Sequence, residues 1–165
     1  MSEIPSINSL IVQVAESYVG KEELANNAGF IDKKLQEKML TVGWQQGWAW
    51  CALFCELVWK EAYSKVNSLY IEKLDYLFSA SATKTFSNFE DSNFFVSNKP
   101  AVGALVAWQY KDSWRGHLGI VTKPGNPFYT IEGNWGDKVS RCKKELSYAK
   151  GDVNLLGFVY PKRPF

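Results

Sequence analysis

The chain has 165 residues, 46% of them hydrophobic and 22% charged, the size and balance of a single globular domain, 1–165, that can bury a core without disulfide or metal staples. That excludes a disordered tail, a collagen-like fibre and a disulfide-dependent miniprotein. Nineteen Lys+Arg against 17 Asp+Glu leave a net charge of +2, scattered rather than gathered as in nucleic-acid binders, and no apolar run is long enough to span a bilayer.

In chain order, Leu10, Ile11, Val14, Ala15 and Tyr18 form a helical stripe over 9–19, with Ser9 as cap and Gly20 as stop. Asn26-Asn27-Ala28-Gly29 reads as a turn. A second stripe over 30–42 uses Ile31, Leu35 and Met39 and ends at Gly43. The Gly/Trp-rich loop 43–48 leads into a third helix over 50–63, with Cys51, Phe54, Cys55, Val58 and Ala62 on one face. Residues 68–90 read as mixed helical pieces. From Pro100 the texture changes to strands at 101–109, 118–122, 128–132 and 154–160, punctuated by Gly and Pro. Helices followed by strands, without βαβ alternation, predict an α+β fold with a mostly antiparallel sheet. The basic cluster Arg141-Lys143-Lys144, followed by Glu145, reads as a solvated face.

Chemistry concentrates at a few positions. Three cysteines, Cys51, Cys55 and Cys142, are an odd number with no CxxC pair, so neither a disulfide framework nor a zinc site is expected. Cys51 falls in the first turn of the third helix, where free N–H groups and the helix dipole favour thiolate and a backbone N–H can meet an oxyanion. Cys55, one turn on, reads as core. The single histidine, His117, opens a strand. The hairpin turn near Gly125 sets it opposite Glu132 or Gly133, with Glu132 and Asn134 on one face. A carboxylate and an amide then flank the only imidazole, ready to hold the tautomer that faces a thiol.

These residues resemble a known family. Trp50-Cys51-Ala52-Leu53-Phe54 is similar to the start of the nucleophile helix in CHAP-type amidases of the papain-like NlpC/P60 superfamily. Gly116-His117-Leu118-Gly119-Ile120-Val121 and Ile131-Glu132-Gly133-Asn134 resemble their histidine and acid strands, in the same order. Glu22, Asn27 and the Gly43–Gly47 stretch resemble the family upstream. The resemblance implies N-terminal helices packed on a small antiparallel sheet. It also implies hydrolysis of a peptidoglycan amide bond, with Cys51 as nucleophile, His117 as base, Glu132 as orienting acid and Asn134 as a helper. The strand before the histidine departs from the family pattern, reading Val102-Gly103-Ala104-Leu105-Val106 without the usual Asp.

Further expectations follow from this reading. Gln45, Trp48, Trp50, Trp114 and Trp135 are candidates for binding substrate, Gln45 or Gln46 also for the second oxyanion donor. Residues 41–50 hold no acid, so no calcium loop is expected, and no metal or cofactor is called for. Partners are bacterial peptidoglycan and, for a secreted toxin, an immunity or inhibitor protein; nucleic acid is not expected, and the state expected is a monomer. Met1-Ser2-Glu3-Ile4-Pro5 has no basic or apolar leader region. The expectation is therefore of a chain made in the cytoplasm that reaches the wall as a phage endolysin or injected effector. The bond cut stays open between the sugar–peptide amide and peptide bonds of the stem or cross-bridge. Two other classes stand beside this one: a papain-like hydrolase or transferase acting on a protein or small amide, and a binding module that keeps the fold.

Overall fold

The computed structural model describes residues 5–66, 69–111, 113–148 and 153–164. Helix α1, Ile7–Ser17, starts at Ser6, whose hydroxyl accepts the Ser9 N–H at 3.1 Å. The cap thus lies three residues ahead of the expected Ser9. A 3₁₀ turn, Ala25–Asn27, precedes α2, Lys33–Thr41, which Asp32 caps by accepting the N–H groups of Lys34 and Leu35. Ile31, expected on the buried stripe, is exposed and its neighbour Phe30 is buried instead. Helix α3, Cys51–Ser64, is the central element, buried at every position from Cys51 to Trp59. The mixed region holds α4, Ile71–Leu77, and α5, Ala82–Glu90; its first residue, Ser68, lies outside the described residues.

The strands are β1 (Val96–Ser97), β2 (Leu105–Tyr110), β3 (Gly116–Lys123), β4 (Phe128–Glu132), β5 (Ser140–Lys144) and β6 (Val153–Val159). Among the described residues they form one sheet in the order β1-β6-β2-β3-β4-β5, every pair antiparallel. This is the α+β architecture expected, with two strands the sequence did not announce. One, β1, is only two residues long. The other, β5, reads Ser-Arg-Cys-Lys-Lys, without a β-branched residue, a composition that suits a sheet edge.

Alternation along the strands builds a core on each face. Leu105, Ala107, Leu118, Ile120 and Ile131 pack under the helices around α3. Val106, Trp108, Val121, Phe128 and Phe158 form a smaller cluster opposite. Lys144 is buried, 4% exposed, so the basic cluster is a solvated face only at Arg141 and Lys143. No helix among the described residues is long and apolar enough to cross a membrane.

Candidate active site

The site begins at the start of α3. Trp50 is the N-cap residue and supplies no side-chain cap, so the first N–H groups of the helix stay available. The N–H groups of Ala52 and of Leu118 on β3 both reach the Cys51 thiol. Trp50 itself is fully buried between Phe30 and Phe54, with ring centroids 4.9 and 6.1 Å away. Its indole N–H donates to Glu23 at 2.8 Å. Trp50 therefore anchors the helix start from below and does not face solvent. Glu23 also accepts from the side-chain amide of Asn27, at 2.7 and 3.1 Å. Of the acidic pair Glu22-Glu23, it is Glu23 that is buried, while Glu22 is exposed.

The imidazole comes from the sheet. His117 is buried, and its Nε2 lies 2.6 Å from Glu132 Oε1. That leaves Nδ1 for the thiol, and Cys51 and His117 are joined by a side-chain hydrogen bond. The pairing differs from the expected direct opposition. Ile120 pairs with Ile131 and Val121 with Thr130, so the next step sets Gly119, not His117, opposite Glu132. A Cβ at Gly119 would stand 2.8 Å from Glu132 Cγ. The missing side chain is what lets the carboxylate lean diagonally onto the imidazole. Glu132 is wholly buried and its second oxygen accepts the Thr130 hydroxyl.

Charge follows from this geometry. Burial pushes the Cys51 thiol up; the imidazolium of His117, its hydrogen bond and the two backbone N–H groups outweigh it, and the thiol ends below an ordinary cysteine. Burial pushes His117 down; the thiolate beside it and the bond to Glu132 outweigh it and raise the imidazole to about 10. Burial also pushes Glu132 up, yet the contact with His117, with help from Lys144 and Thr130, holds it below the usual carboxylate range. The favoured state is a thiolate–imidazolium pair steadied by an ionised carboxylate. Cys55, buried without such partners, is pushed well up and stays a thiol.

Cys51 opens into a cleft of about 670 Å³ whose walls include Trp48, Trp114, Arg115, Asn27 and Asn134. Trp48 and Trp114 are exposed indoles on this cleft. Asn134 holds a left-handed backbone, φ 57°, and turns toward the cleft as β4 ends. Tyr110 also lines the cleft and a second cavity of about 340 Å³, which His117, Trp108, Trp135, Lys144 and Tyr148 enclose. So the fold brings Cys51, His117, Glu132 and Asn134 together and puts Trp48 and Trp114 beside them. Trp135 faces the second cavity, at 5.3 Å from the His117 ring. Gln45 and Gln46 are exposed and line neither space. Sequence reasoning missed Glu23 and Lys144. For Lys144 only the pairing of β5 with β4 gives the signal, since it sets Ser140, Cys142 and Lys144 opposite Glu132, Thr130 and Phe128 on one face.

The CHAP domain family model matches residues 41–134, more than half of the chain and the stretch that carries Cys51, His117, Glu132 and Asn134. The chain belongs to the CHAP domain family. CHAP domains are amidases and peptidases that act on peptidoglycan, which places this one among hydrolases of amide bonds at the cell wall. Lys144 and Glu23 fall outside the matched stretch. Comparisons with curated proteins and with solved structures find no match.

Proposed function

We propose that this CHAP domain is a cysteine amidase or endopeptidase that cleaves an amide bond of peptidoglycan, acting from a phage endolysin or a secreted antibacterial effector. The observation that carries the reading is the row Cys51–His117–Glu132 at the edge of an open cleft, with the thiol lowered and the imidazole raised as a nucleophile–base pair requires. In this scheme the Cys51 thiolate attacks the scissile carbonyl carbon. The Cys51 N–H at the head of α3 meets the oxyanion. His117 Nδ1–H protonates the leaving amine, and the C–N bond breaks to leave a thioester. Neutral His117 then takes a proton from water, whose oxygen attacks the thioester and frees the carboxylic acid and the thiol. Throughout, Glu132 fixes the imidazole through Nε2.

The second oxyanion donor is not Gln45 in this scheme, because Gln45 stands outside the cleft. Asn134 fits better: it lines the same cleft as Cys51. Trp48 and Trp114 offer flat apolar faces to sugar rings or peptide stems.

The test is mass spectrometry of soluble fragments from purified peptidoglycan, comparing wild type with Cys51→Ala and His117→Ala. Fragments are expected from wild type only, with each variant reduced by a factor of roughly a thousand or more, and their masses name the bond. Fragment release by Cys51→Ala at the wild-type rate would falsify the scheme.

A further inference from the structure

Lys144 sits on β5, the edge of the sheet, where a lysine can easily extend into water. Instead its side chain is 4% exposed. Burying an ammonium is costly unless something replaces its hydration. Three aromatic rings do so: Nζ lies 3.5 Å from the Trp135 centroid, 4.3 Å from Tyr148 and 5.3 Å from Trp108. Such contacts favour a cation over a ring face and fix where it stands. The charge they hold is 3.8 Å from Glu132 Oε1, the same oxygen that contacts His117. Trp108 and Trp135 also flank the His117 ring, at 5.9 and 5.3 Å. One aromatic frame therefore holds both cations that bracket Glu132.

We propose that Lys144 is a positioning residue of this site: its caged ammonium holds Glu132 ionised and in place, and so governs His117 from behind. The inference rests on the proposed function and adds a fourth member to the row. Its value arises at one moment of the reaction. When the imidazolium gives its proton to the leaving amine, Glu132 loses its nearest cation. Lys144 remains, so the carboxylate keeps its charge and still accepts the N–H of the neutral ring, which must next activate water.

The sign of the effect is fixed by Coulomb's law. A cation behind Glu132 opposes the positive charge on His117, so removing it raises the imidazole. The other titratable groups facing this cluster are Tyr110, Tyr148, Cys142 and Cys55. Burial pushes all four up, so they remain uncharged near neutral pH.

The chain's single histidine gives one imidazole signal in NMR, and Cys51→Ala removes the thiolate that otherwise dominates its titration. In that background Lys144→Met, which keeps the chain length and the packing in the cage, is expected to raise the His117 midpoint by about one pH unit. Lys144→Arg, which keeps the charge, is expected to leave it near the parent value. With Cys51 intact, Lys144→Met is expected to lower kcat on peptidoglycan roughly tenfold with KM unchanged. Near-UV circular dichroism checks that the cage has folded, and Lys144→Gln is the second neutral variant should the Met variant fail that check. An unmoved midpoint in the neutral variants, or an equal shift in Lys144→Arg, overturns the inference. The titration uses no substrate, so a wild type that releases no fragments counts against the proposed function and leaves the midpoint shift to decide the role of Lys144.

Discussion

Glu23 shows how a residue outside the Cys51–His117–Glu132 row can carry a pH signature. Burial is the main reason its carboxyl is raised, and contact with Asp137 adds to that against the Trp50 hydrogen bond, giving about 7. A carboxyl raised on folding takes up a proton as the chain folds, so it favours the native state at low pH. That contribution is lost as pH climbs from the ordinary 4.5 through about 7. Thermal melts from about pH 5 to about pH 8 should show wild type falling relative to Glu23→Gln, which keeps an acceptor for Trp50; parallel curves would refute this. Gly119 is a second such residue. Its absent Cβ is the space Glu132 occupies, so Gly119→Ala should cost about 1–3 kcal/mol in urea unfolding. It should also return Cys51 alkylation toward the pH profile of an ordinary thiol. At this scale the sequence was informative where residue types are chemically rare. One histidine and one helix-start cysteine sufficed to find the row. Glu23 and Lys144 stayed hidden because each looks like an ordinary surface charge until aromatic side chains close over it: Trp50 over Glu23, and Trp108, Trp135 and Tyr148 around Lys144.

At the scale of elements, helices with strong stripes and strands with β-branched runs were readable, and their ends less so. Ser6 rather than Ser9 caps α1 because only Ser6 has the extended backbone from which a hydroxyl can turn back onto the third N–H. The hairpin was legible from Lys123 to Pro127, but its register was not: the strands slip at Val121/Lys123, and a shift of one position decides which residue faces Glu132. Strand β5 escaped notice since nothing in Ser-Arg-Cys-Lys-Lys favours a strand on its own. Its pairing with β4, from Phe128↔Lys144 to Glu132↔Ser140, is a tertiary outcome. That strand nevertheless delivers the ammonium of the cage, which is why charge composition alone misjudged it.

Across the whole molecule, a helical half supplies Cys51 and a sheet half supplies His117, Glu132 and Lys144. The α+β class followed from that division in the sequence; the strand order did not, because it depends on β6 returning from the end of the chain to lie between β1 and β2. Packing reinforces the return. Tyr63 on α3 donates its hydroxyl to the Lys162 carbonyl at 2.6 Å and accepts the Lys162 N–H at 2.9 Å. A chain stopped before Val153 should therefore lack protease-resistant structure in β1 and β2, and its Cys51 should react as an ordinary thiol. Limited proteolysis with thiol titration checks both, and a truncated chain with a wild-type thiolate would refute the argument. The topology then has a bearing on the cell that makes the protein. A ribosome must translate β6 before the sheet can close between β1 and β2, so the proposed Cys51 thiolate is expected to form only after Val153–Val159 has been made.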